Sequence, residues 1–157
     1  VEVDMGARSG MFRSMLAAVA ILCYGCDVVD PTLLSGPVEE GVSSADLINA
    51  SVVVLQTQGY TVVAADREAG VVTTAWRDES SFAGQVFLET SRRTRISVVV
   101  DFYSKNVTVQ MTKQVKEGDT PWRNDDLSGK DHGVAQDILA EIQERARDIS
   151  NKTRGSI

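Results

Sequence analysis

The chain has 157 residues, with 16 Lys and Arg against 22 Asp and Glu, and a formal net charge of −6. That length suits one domain with one core, and the acidic balance opposes nonspecific attraction to nucleic acid or to anionic headgroups. Cys23 and Cys26 are its only cysteines and both lie near the N-terminus, so neither a disulfide framework nor a thiolate site is expected in the region that folds.

Arg13 precedes a short apolar run, Met15 to Leu22, which stops at Gly25-Cys26. A basic start, an apolar middle and small residues at a cut site are the grammar of a secretory signal peptide. The run is far shorter than the ~20 residues a spanning helix needs. Val1, Glu2 and Asp4 do not fit an export start, so translation is expected to begin at Met11, with Met5 as the alternative. Ending on Gly25-Cys26, the segment resembles a bacterial lipoprotein signal. That resemblance implies that Cys26 is the lipidated first residue and that the protein is anchored to a membrane, facing the periplasm or the exterior. Cys23 occupies the position where such signals carry Leu, Val or Ile, with Leu22 one place too early, so an ordinary cleaved signal remains the alternative. Cys23 and Cys26 have the spacing of a thioredoxin-like redox pair, but that chemistry needs a strand before the pair and a helix starting at it.

Residues 26–42 contain Pro31, Gly36, Pro37 and Gly41 and read as a tether between anchor and domain. Ser43 or Ser44 is an N-cap for a helix whose Leu47, Ile48, Ser51, Val52 and Leu55 share one side, with Gly59 as its stop. Residues 60–66 and 70–77 read as a hairpin closed at Gly70. A third strand is expected over 93–103, with Ile96, Val98, Val100 and Phe102 on one face and Arg95, Ser97, Val99 and Asp101 on the other. After a turn at 104–106, Val107, Val109, Met111 and Val115 continue the buried side in a fourth strand. A polar loop over 118–130 leads to a helix with Ala135, Ile138, Leu139, Ile142, Ala146 and Ile149 as its apolar stripe. The expected fold is α+β and two-layered, an antiparallel four-stranded meander with both helices on one face. The expected divisions are 1–25 as start and signal, 26–42 as tether, 43–150 as the domain and 151–157 as a frayed tail.

Within this order, Leu55, Gly59, Tyr60 and Val62, then Asp66-Arg67-Glu68, Gly70 to Thr74 and Trp76, resemble the repeating domain of BamC-type outer-membrane assembly lipoproteins. The resemblance implies a helix-grip domain, in which a long C-terminal helix packs across an antiparallel sheet. It also implies a role in outer-membrane or envelope assembly. This chain has room for one such domain.

Several residues invite chemistry. Asp131 and His132 could serve as orienter and base, but no serine or cysteine nucleophile in a strained turn accompanies them, and His132 reads as a polar residue at a helix start. Asp119, Asp125, Asp126 and Asp131 crowd one loop without the ligand spacing of an EF-hand. Arg92, Arg93 and Arg95, with Arg77 and Lys113, form a candidate basic stripe on the wet sheet face, unless Glu89 and Asp101 pair with them. Trp76 alternates onto the side of Val72 and Thr74 and so reads as core, whereas Trp122, on a loop, reads as an anchor for a partner. The sequence therefore points to a non-enzymatic, lipid-anchored interaction module with Arg93, Arg95 and Trp122 as expected partner contacts. Its expected partners are the membrane, through the lipid, and an envelope protein; no nucleic acid, metal or cofactor is expected. A periplasmic carrier of a hydrophobic small molecule or lipid is the alternative.

Overall fold

The computed structural model describes residues 32–81, 84–85 and 89–155. The signal-like segment 1–25 and the lipidation candidate Cys26 lie outside the described residues. The fold is mixed α+β, with an antiparallel sheet and two helices.

Helix α1, Ser44–Thr57, begins where Ser43 and Asp46 cap each other. The Ser43 hydroxyl accepts the Asp46 N–H at 3.1 Å, and the Asp46 carboxylate accepts the Ser43 N–H at 3.2 Å, satisfying two amides that the helix cannot pair internally. Strands β2, Val62–Asp66, and β3, Val71–Thr74, form the expected hairpin. The Asp66 carboxylate accepts the N–H groups of Glu68 and Ala69, each at 2.9 Å, which tightens the turn. Gly70 closes it at φ +70° with its α-carbon against β5, Thr90–Asp101. Strand β5 pairs with β6, Asn106–Glu117, along its whole length, from Thr90↔Glu117 to Asp101↔Asn106. Phe102, expected at the end of a strand, instead sits in the turn and is 39% exposed. The Asp101 carboxylate takes the N–H groups of Tyr103 and Ser104, so the chain turns earlier than hydrophobic alternation suggests.

The sheet has seven strands rather than the expected four, in the order β1-β6-β5-β3-β2 with β4 beside β5 and β7 beside β6. The meander β2-β3-β5-β6 accounts for the four strands expected. Strands β4, Arg77–Asp78, and β7, Arg123–Asn124, are two-residue additions. Strand β1, Thr32–Pro37, is the larger correction, because it lies inside the segment read as tether. It pairs with β6 from Thr32↔Met111 to Pro37↔Asn106. Its Pro and Gly are tolerated because the strand is an edge, where a missing N–H breaks no ladder. Gly36 is buried, and a side chain there would strike Gln143.

Helix α2, Gly129–Arg154, carries a second reciprocal cap between Ser128 and Asp131. It runs through residues 151–154, read as frayed, because its last turns are fastened to the β1–α1 connection. Ser150 Oγ and Arg154 Nη2 donate to the Gly41 carbonyl at 2.8 and 2.7 Å, and Arg147 pairs with Glu39. One apolar cluster joins α1 (Leu47, Ile48, Leu55), one sheet face (Val72, Ile96, Val98, Val109, Met111) and α2 (Ala135, Ile138, Ile142). Both helices therefore cover the same side of the sheet, and no described helix covers the other side.

Gly70 and Gly59 separate backbone freedom from close approach. Both have positive φ, but a Cβ at Gly59 meets open space while one at Gly70 would lie 2.5 Å from the Val100 carbonyl oxygen. Gly59→Ala is expected to cost about 1 kcal/mol and Gly70→Ala about 3 kcal/mol or more, measured by urea denaturation of the two variants.

Candidate functional site

The site begins with a counting mismatch in the sheet. Between the pairs Thr73↔Ser97 and Arg77↔Thr94, the β3–β4 side holds residues 74–76, while β5 holds only 95 and 96. The extra residue is a β-bulge, and a bulge shifts every following side chain by one position. Trp76, expected among the core residues with Val72 and Thr74, is thereby turned to the open face.

There Trp76 meets two arginines. Arg93 Cζ lies 4.5 Å from the Trp76 ring centroid and 4.0 Å from that of Trp122, and Arg95 Cζ lies 4.8 Å from Trp76. Arg93 is thus sandwiched between the chain's two tryptophans, and each cation–π contact at such a partly wet site contributes ~0.5–1 kcal/mol. The guanidinium is fixed in orientation by Gln114, whose Oε1 accepts from Arg93 Nε at 3.0 Å and Nη2 at 2.7 Å. Gln114 in turn donates to Asn124 on β7 at 3.3 Å. That pairing holds the loop carrying Trp122 against the sheet. All four stacked side chains, Trp76, Arg93, Arg95 and Trp122, are half-buried.

Among the described residues, neither Arg93 nor Arg95 has a carboxylate within ion-pair distance. Asp78 is registered directly across from Arg93 but accepts the Ser80 N–H at 2.8 Å instead. Hydrogen bonds from Ser80 hold the Asp78 carboxyl below its ordinary pKa. Asp101, expected to pair with the stripe, lies at the far end of β5 and serves Tyr103 and Ser104. The five-residue stripe divides between the two faces. Arg93 and Arg95 remain on the open side and Arg92 reaches Asp125 at 3.5 Å. Arg77 and Lys113 point toward the helices, pairing with Glu79 and Asp131, each at 2.9 Å.

The Asp131 carboxylate is committed to Ser128 and to Lys113, and His132 is exposed. Among the described residues no group of three or more His, Cys, Asp or Glu is placed to hold a metal ion. No described helix is long and apolar enough to cross a membrane.

No family model matches the chain, and no curated protein does. Among solved structures, the chain is similar to a DUF4468 family protein from Bacteroides ovatus ATCC 8483, at 14% identity over 82% of this chain and 84% of that one, with a TM-score of 0.37. A likeness of that size assigns neither fold nor function.

Two measurements check the site. Because both tryptophans belong to the stack, intrinsic fluorescence reports on it alone. Arg93→Ala is expected to red-shift emission, raise acrylamide quenching and cost about 1 kcal/mol of stability. The second concerns Asp131. Burial raises its pKa, but hydrogen bonds from Ser128 and Lys113 and the Lys113 charge outweigh that, leaving it below the ordinary value. A depressed carboxyl stabilises the fold fully above its unfolded pKa, about 3.9, and ceases to do so as pH falls through the folded value. Urea unfolding from pH 5 down to pH 2 should therefore fall less steeply in Asp131→Asn than in the parent.

Proposed function

We propose that this protein is a non-enzymatic, lipid-anchored interaction module of the bacterial cell envelope. Its open sheet face docks an acidic segment of an envelope protein. The observation that carries the reading is the stack itself, on a chain of net charge −6: Arg93 between Trp76 and Trp122, and Arg95 on Trp76, neither with a carboxylate partner among the described residues. Preoriented guanidinium groups backed by aromatic rings are enriched where proteins bind proteins. Acidic side chains approaching this face find charges that nothing in the described fold has neutralised.

The anchor supports the reading through geometry. If Cys26 carries the lipid, only residues 27–31 separate it from the start of β1, a reach of roughly 20 Å at full extension. Thr32 is registered with Met111, one residue from Thr112, the partner of Arg95. The start of β1 thus lies within three register positions of Gln114 and Thr112, the partners of Arg93 and Arg95 on β6, and a lipid on Cys26 would be tethered within that reach of the stack. The partner's acidic segment lies close to the same leaflet. Supporting an outer-membrane or envelope assembly, as the BamC-like resemblance implies, suits such a position. The carrier alternative has less support, because side chains from both layers fill the space between helices and sheet (Leu55, Val98, Val109 and Ile138 are all 0% exposed).

Two experiments test the reading. Mass spectrometry of the mature protein from a bacterial host, with and without globomycin, should find a diacylated or triacylated Cys26 that the drug abolishes. A free N-terminus would remove the anchor. Titration of the full-length protein with a deca-glutamate peptide should shift tryptophan emission saturably. The double variant Arg93→Ala/Arg95→Ala should weaken binding at least tenfold, about 1.4 kcal/mol. A flat titration, or a shift given only by vesicles of anionic lipid, would overturn the protein-docking assignment.

A further inference from the structure

The opposite side of the same end of the sheet holds a cleft of about 300 Å³, lined by Tyr60, Arg77, Glu79, Met111, Lys113, Ser128, Lys130, Asp131 and Val134. Three features set it apart from an ordinary surface groove. Tyr60 is 4% exposed, and among the described residues its hydroxyl has no acceptor, because the side chain that reaches it, Arg77, can only donate. Arg77 lies over the ring, with Cζ 3.9 Å from the centroid, while its Nη atoms serve the Gln58 carbonyl at 3.1 Å and Glu79 at 2.9 Å. Lys113, with a side chain 14% exposed, gives one hydrogen bond to Asp131 and has two ammonium hydrogens left. Tyr60 itself lines the cleft, beside Arg77, Glu79 and Asp131. Burial raises the phenol's pKa, so it is a neutral donor.

A second orphan lies in the same corner. The Thr94 hydroxyl is the other buried side-chain polar atom left without a partner among the described residues. Thr94 is registered between Arg77 on β4 and Lys113 on β6. Buried hydroxyls without an acceptor are costly and rare; Tyr60 lines the cleft, and Thr94 is registered between two residues that line it. The lining balances three cations, Arg77, Lys113 and Lys130, against two carboxylates, Glu79 and Asp131. One negative charge neutralises that set, while two would meet Glu79 and Asp131 unfavourably.

We propose that this cleft binds a small organic monocarboxylate, whose oxygens accept hydrogen bonds from the Tyr60 hydroxyl and the Lys113 ammonium with Lys130 at the rim. The site is separate from the Trp76–Arg93–Trp122 stack, so either assignment stands if the other fails.

The test uses the full-length protein and thermal unfolding in sodium acetate, sodium phosphate and sodium chloride at matched ionic strength. Acetate is expected to raise Tm saturably above chloride, and phosphate to do less. Tyr60→Phe removes the orphan hydroxyl and keeps the ring under Arg77. It is expected to raise Tm by about 3 °C in chloride and to lose the acetate response. Opposite signs from one substitution distinguish a ligand-awaiting hydroxyl from a structural one. Lys130→Gln, on an exposed side chain, should weaken the acetate response about two- to fivefold without lowering the Tm in chloride. No acetate effect beyond chloride, or an equal effect in the parent and Tyr60→Phe, would overturn the proposal. Phosphate stabilising more than acetate would overturn the monocarboxylate assignment.

Discussion

One extra residue between Thr73 and Arg77 decides what both faces of this end of the sheet can do. Without the bulge, strict alternation would carry Trp76 inward and Arg77 outward. With it, Trp76 turns to the open face and stacks on Arg93 and Arg95, while Arg77 turns under the helices and lies on Tyr60. The same shift also puts the cation beside the last carbonyls of α1, where Arg77 donates to the Gln58 oxygen and a positive charge suits the helix dipole. Both candidate surfaces thus depend on one local change of register, and a substitution that erased the bulge would dismantle both together.

The elements legible in the sequence are those whose signals are local. Ser43 with Asp46 and the stop at Gly59 delimit α1, Gly70 closes the hairpin, and strict alternation from Ile96 to Val100 and from Val107 to Met111 orients β5 and β6. Strand β1 was not legible, because what makes it a strand is distant. Its partners on β6 are about seventy residues away, and Gly36 is needed for the close approach of α2. Pro and Gly in 31–41 are turn signals locally and edge-strand residues only in that context. Residues 151–154 were misread for a similar reason: Gly41, whose carbonyl Ser150 and Arg154 share, is more than a hundred residues upstream.

The site was half legible. Arg93, Arg95 and Trp122 could be singled out as basic or aromatic residues on a wet face or a loop, but nothing local showed that Trp76 would join them. The usable signal was compositional: the chain has only two tryptophans, and one sits beside Arg77 at a strand end where alternation breaks down. Tyr60 was missed as a functional residue because a tyrosine opening a strand reads as core. It is core by burial, at 4% exposure, and only a hydroxyl with no acceptor among the described residues separates it from an ordinary packed ring.

Electrostatics explains how an acidic chain can present two cationic sites. Many of its carboxylates are spent internally. Asp46 and Asp131 cap helices, Asp66, Asp78 and Asp101 close turns on backbone amides, and Glu39 and Glu79 pair with arginines. A carboxylate tied to an adjacent amide is geometrically committed and cannot swing to a neighbouring guanidinium without leaving a donor unpaired. Asp78 is the clearest case, since register sets it beside Arg93 while its oxygen stays on Ser80. Among the described residues Arg93 is therefore held by rings and an amide, not by an ion pair. Contacts of that kind fix a guanidinium in place while leaving its charge available, which is the property a docking surface for acidic residues requires.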